Sequence, residues 1–156
     1  MFVLCAIGLR NGPQMVRRLL EVIGRSQHLV LLHVIDVEPR QDLAHLAGPL
    51  RQGPLGGSAR QREMSEAEQT AGSQILAETL REIQRAGVTA TTRLEKGIPE
   101  RTIVAVAREV GASVVAICAR ELPAPHPLQG PASIGHTARF VIDHAPCDVV
   151  LLRLAM

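Results

Sequence analysis

Aromatic residues are almost missing from this chain: its 156 residues include two Phe and neither Trp nor Tyr. With no large rings to stack on bases, a net charge of +2 and no basic cluster longer than Arg17-Arg18, a nucleic-acid-tracking surface is excluded. No apolar run approaches the roughly 18 residues of a membrane span, and no basic stretch precedes the apolar first residues, so neither a membrane segment nor an export signal is expected. Cysteine is sparse. Cys5, Cys118 and Cys147 lie in or beside apolar runs without a CxxC pair, which predicts reduced, buried thiols in a cytoplasmic protein. The phosphate-loop patterns GxxxxGKS and GxGxxG are also missing, which removes the Walker A and dinucleotide-binding classes.

What is present is a chain 46% hydrophobic and 21% charged, predicting one soluble domain over residues 1–156. At this length roughly 68–70% of the unfolded surface can be buried without metal or disulfide support. Phe2 to Ile7 and Leu29 to Ile35 are continuous apolar runs, the pattern of strands covered on both faces. Between them Asn11-Gly12-Pro13 offers a cap and a first-turn proline, and Val16, Leu19, Leu20 and Ile23 recur at helical spacing up to Gly24. Val37 to about Arg62 reads as a long loop, because six of the ten residues Gly48 to Gly57 are Gly or Pro. A helix is predicted from about Glu63 to Ala86, and a strand from Val88 to Leu94 whose alternation places it at a partly wet sheet edge. A helix opening at Gly97 to Glu100, a strand from Ser113 to Cys118, a helix capped by Ser133 and a strand from Cys147 to Leu154 complete the series. Pro123, Pro125, Pro127 and Pro131 exclude regular structure in the segment before that last helix. Alternation of this kind predicts an α/β fold, a doubly wound open parallel five-stranded sheet with helices on both faces.

In such sheets ligands lie beyond the carboxyl ends of the strands, at the point where strand order reverses. The segments to inspect are Gly8 to Gly12, Asp36 to Pro39 and Ala119 to Thr137.

Three stretches carry a resemblance. Arg85 to Ile117, RAGVTATTRLEKGIPERTIVAVAREVGASVVAI, and Arg139 to Arg153, RFVIDHAPCDVVLLR, resemble the universal stress protein family, as does LLHVID at Leu31 to Asp36. The resemblance covers nearly the whole chain outside Val37 to Arg62. It implies a Rossmann-like sheet and, in the nucleotide-binding members, an Asp at the end of the first strand. After the fourth strand such members have Gly, two residues, Gly, nine residues, Gly and Ser or Thr. Here Gly8, Leu9 and Arg10 follow the first strand and Cys118 to Leu122 the fourth. Only the third glycine is matched, as Gly135, and His136 follows it in place of a hydroxyl residue. The family's ATP site is therefore expected to be degraded or remodelled. Its candidate residues by position are Ile7, Gly8, Leu9, Val34, Ile35, Cys118, Ala119, Arg120, Gly135, His136 and Thr137. A helix start at Gly135 to Thr137, with Arg120 beside it, would still offer amides to an anion, so ATP or AMP with Mg is the alternative ligand reading.

The last strand, guarded only by Asp148 and Arg153, is an edge expected to be paired. In similar family proteins that strand builds the homodimer, which points to Val149, Val150, Leu151 and Leu152. The resulting expectation is a non-catalytic, homodimeric stress-response or signalling module that works through a protein partner. An adenine-nucleotide sensor is its first rival. A small phosphohydrolase using Ser133, His136 and Asp36 is the rival from another class, unsupported by any GxSxG elbow. His144 and Cys147 at spacing three read as part of a helix-to-strand turn, and His33 as a core residue, so no metal is expected. Cys118, at the crevice, reads as packing.

Overall fold

The computed structural model of the chain describes residues 1–38, 57–120 and 134–154, with nothing described of the side chains at 57 and 58. Among the described residues nine elements alternate: β1 (Phe2–Ala6), α1 (Gly12–Ile23), β2 (His28–Asp36), α2 (Gly57–Arg85), β3 (Thr89–Gly97), α3 (Pro99–Glu109), β4 (Val114–Cys118), α4 (His136–His144) and β5 (Asp148–Leu152). The five strands form one parallel sheet in the order β3-β2-β1-β4-β5. The sheet grows outward from β1 in both directions, as expected of a doubly wound fold.

The continuous apolar runs are explained by helices on both faces. Side chains alternate along a strand, so Val3, Cys5, Leu29 and Leu31 meet Met15, Val16 and Leu19 of α1 and Ile75, Leu76 and Ile83 of α2. Leu4, Val30, Leu32, Val115 and Ile117 point the other way, onto Ile103, Val104 and Ala107 of α3 and Ala138 and Val141 of α4. Close approach of α2 depends on Gly72, where a Cβ would stand 2.8 Å from His33 Cδ2 and 2.8 Å from Leu94 Cδ1.

Several boundaries differ from the sequence reading. Helix α2 begins at Gly57, not near Glu63, because the run after the glycine-rich segment is rich in good helix formers whose polar side chains give no apolar period to see. Residues 39–56 of the predicted loop lie outside the described residues, as do the proline-rich 121–133 and the proposed cap Ser133. Gly135, at φ 97°, stands at the N-terminal boundary of α4. Strand β3 continues past Leu94 to Gly97 and pairs with β2 over all nine residues. It is a sheet edge, with Arg93 binding Glu95 at 2.6 Å and Glu109 at 3.0 Å on its exposed side. Strands β1 and β5 are shorter than predicted, ending at Ala6 and Leu152.

Candidate functional site

Beyond the C-terminal ends of β1, β2 and β4 lies a cavity of about 220 Å³. Its walls are mostly aliphatic: Ala6 and Ile7 at the end of β1, Leu32 and Val34 of β2, Ile103 of α3 and Ile117 of β4. Gly8, Asn11, His33, Pro99, Cys118 and Thr137 complete it. Five of the predicted site residues, Ile7, Gly8, Val34, Cys118 and Thr137, are therefore brought together here. Ile35 is not among them; strand alternation turns it from the face of Val34, and it is 4% exposed. Leu9 projects into solvent at 52% exposure. Ala119 is buried, its N–H donating to the Leu152 carbonyl at 2.8 Å.

The floor is set by His33. Its ring is buried, and Nδ1 lies 2.7 Å from the Ile7 carbonyl, which ties β2 to the end of β1 directly under the crevice. His33 is thus a core residue with a positioning contact, in keeping with its place in the middle of an apolar strand.

Asn11 corrects one detail of the sequence reading. It precedes α1, as expected of a cap, but its side chain makes no capping bond. The amide instead covers Gly8: a Cβ on Gly8 would stand 3.1 Å from Asn11 Oδ1. That oxygen is buried with no hydrogen-bond partner among the described residues. A missing side chain at position 8 is the local signal for it, since the vacated space is filled from one helical turn away.

The remaining predicted residues gather at the start of α4. Arg120 N–H donates to the Ile134 carbonyl at 2.8 Å, and a Cβ on Gly135 would lie 3.0 Å from Arg120 Cβ. The strand end and the helix start are therefore packed side by side. His136 does not face an open anion site. Its Nε2 lies 3.1 Å from Oε1 of Glu100, in the first turn of α3, whose side chain is only 10% exposed against 75% for His136. Glu100 was legible in the sequence only as a residue of the first turn of a helix, where acids are common; its partner comes from 36 residues away.

The triad considered for hydrolysis does not assemble among the described residues. Ser133 lies outside them, Asp36 is exposed and accepts the Glu38 N–H at 2.9 Å, and the acid that reaches His136 is Glu100. His144 is also engaged locally, its Nδ1 donating to the Phe140 carbonyl at 2.9 Å and its ring stacked on Phe140 at 4.1 Å. Among the described residues no group of three or more His, Cys, Asp or Glu could hold a metal ion, and no helix is long and apolar enough to cross a membrane.

The expectation of buried thiols holds for Cys5 alone, while Cys118 and Cys147, at the end of β4 and the start of β5, are half-buried. Cys5 is fully buried, and desolvation, with a smaller contribution from Cys118, pushes it up to about 12. Burial, then the neighbouring Asp148 charge, raises Cys147. Cys118 lines the cavity.

An open apolar slot thus lies at the strand ends, bounded by a helix start after β4. The model of the universal stress protein family matches residues 1–153. The chain belongs to that family. Solved universal stress proteins share its fold. UspA from Lactobacillus plantarum is 20% identical with a TM-score of 0.71, the match covering 98% of this chain and 97% of that one. A member from Arabidopsis thaliana with AMP bound is 16% identical (TM-score 0.66, covering 99% and 92%). One from Archaeoglobus fulgidus in complex with dAMP is 16% identical (TM-score 0.59, covering 97% and 96%). No curated protein matches by sequence. The fold predicted from the sequence, a five-stranded parallel Rossmann-like sheet of the universal stress protein type, is thus the one observed.

Proposed function

We propose that this universal stress protein is a non-catalytic signalling module of one domain whose crevice is a remodelled nucleotide site, keeping the base end and losing the triphosphate end. The observation that carries it is the Glu100–His136 contact beside the open slot. The buried Glu100 carboxylate, in the first turn of α3, takes the His136 side chain at the start of α4, and it repels the phosphates a nucleotide would place there. Gly8 and Leu9 supply no carboxylate at the end of β1, and Cys118, Ala119 and Arg120 bring side chains where the family pattern has close backbone approach. The aliphatic slot remains suited to a flat base, with Asn11 and Thr137 as its polar contacts. AMP and dAMP in the Arabidopsis and Archaeoglobus relatives support a monophosphate or nucleoside over MgATP.

The module pairs with its own copy through Val149, Val150, Leu151 and Leu152 of β5, an edge strand in which Asp148 is exposed and Val149 to Leu151 are only partly covered within one chain. Three free thiols suit a reducing, cytoplasmic setting, and the output passes to a protein partner.

Equilibrium dialysis against adenosine, AMP and MgATP tests the site. Adenosine or AMP is expected to approach one per chain while MgATP is retained less. Tighter retention of MgATP would overturn the remodelled reading in favour of an ATP sensor. Retention of none at about 1 mM limits binding to weaker than roughly −4 kcal/mol and leaves the crevice without a nucleotide role. Phosphate release from MgATP that disappears on His136→Ala would instead make it a hydrolase. For the dimer, Val150→Lys is expected to shift light scattering from dimer mass to monomer mass.

A further inference from the structure

Away from the crevice, two adjoining hollows of about 610 and 390 Å³ run along the outer side of α1 and share Arg17 and Glu21. Arg18 and Arg153 line the first, and Arg25, Arg85 and Glu82 the second. Five arginines thus face two glutamates, a local charge of +3 in a chain whose total is only +2. Both acids are already engaged, Glu82 with Arg17 at 3.3 Å and Arg85 at 3.7 Å, and Glu21 with Arg18 at 2.7 Å. Arg25 and Arg153 meet no acid among the described residues. Leu20, Ala86 and Leu154 supply an apolar floor between the charges.

We propose that this groove docks an extended acidic segment of a partner protein. Every cation in it is an arginine, whose planar fork binds a carboxylate through two parallel bonds where a lysine offers a point charge. From Gln14 to Ile23 the helix rises about 14 Å, the span of about four residues of extended peptide. A polypeptide fits better than a polyphosphate because Glu21 and Glu82 sit among the arginines. Peptide N–H groups can donate to those carboxylates, whereas a continuous line of phosphates meets them with like charge. The groove lies on the α1 face of the sheet and is independent of what occupies the crevice.

The test is fluorescence anisotropy of a fluorescein-labelled hexaglutamate peptide titrated with the full chain. Saturable binding is expected, weakening as salt rises from about 20 to 200 mM, since the screening length of exposed charges falls from roughly 20 Å to roughly 7 Å over that range. Arg25→Glu with Arg153→Glu is expected to lose at least about tenfold in affinity. Arg101→Glu with Arg108→Glu, two exposed positions on α3 carrying the same change of net charge, is expected to bind as the unaltered chain does. All four positions are exposed, and circular dichroism confirms folding of both pairs. Absence of saturable binding overturns the proposal, and so does equal loss in the α3 pair, which reduces the effect to net charge. Tighter binding of inorganic polyphosphate, removed by the Arg25 and Arg153 changes, would also overturn it and assign the groove to phosphate.

Discussion

The two ends of the crevice are built by opposite strategies. At the strand end, Ala6, Ile7, Leu32, Val34 and Ile117 leave an open slot whose floor is held by His33 on the Ile7 carbonyl. At the helix end, Arg120 presses on Gly135, and Glu100 takes His136. One end is an open, mostly aliphatic cavity; at the other, His136 and Glu100 pair within the chain. The apolar end follows from the sheet itself, because strand tips in any doubly wound fold present aliphatic side chains between two helical layers. A ligand-binding polar end needs groups left without partners, and a single buried carboxylate is enough to remove that condition.

The sharpest way to break the strand end is Gly72→Val. A branched side chain there collides with His33 and Leu94, moving α2 off the sheet, and the expected cost is about 2–3 kcal/mol in urea unfolding together with loss of adenosine binding. At the other end Gly135→Ala combines positive φ with a 3.0 Å approach to Arg120 Cβ. A loss of about 1–2 kcal/mol is expected, read in the same unfolding experiment, with adenosine affinity preserved. Equal damage to adenosine binding by both substitutions would erase the distinction between the ends.

Removing the internal charge sharpens it. Glu100→Gln keeps the shape of the contact to His136 but removes the repulsion, so AMP affinity in dialysis is expected to rise about threefold to tenfold while adenosine changes little. An unchanged ratio of AMP to adenosine would separate Glu100 from the phosphate end altogether.

The mildest test uses the thiols. Iodoacetamide at pH 8 is expected to modify Cys118, at the cavity, before Cys5, which burial holds protonated up to about 12. Because the folded thiol of Cys5 titrates above its ordinary value of 9.0, the folded state holds its proton longer than the unfolded state does. Its contribution is complete below about pH 9 and lost as pH rises from there through about 12. Saturating adenosine should slow modification of Cys118 and leave Cys5 unaffected.

Much of this architecture could be read directly from the chain. Phe2 to Ile7 and Leu29 to Ile35 announce two-sided strands because both faces of a parallel sheet are covered, and Gly24, Gly87 and Gly111 mark chain reversals with positive φ. The start of α2 was not legible: its first described side chains, Ala59 to Met64, are exposed, so no apolar period marks them in the sequence. In the crevice, position along the strands located Ile7, Gly8, Val34, Cys118 and Thr137, but Pro99 and Ile103 arrive from α3, whose distance in sequence hides them. Asn11 was visible as a cap and serves instead as the cover over Gly8.

By itself the sequence determined the alternation of strands and helices and the two buried faces, since each depends on residue type and local spacing. Only the tertiary structure decided that Glu100 meets His136 across 36 residues, that Asn11 fills the space above Gly8 and that five arginines from α1, the segment after it, α2 and the residue after β5 share one groove. Those contacts depend on how helices seat on a sheet, and periodicity within one segment carries no record of which neighbour its exposed side will meet.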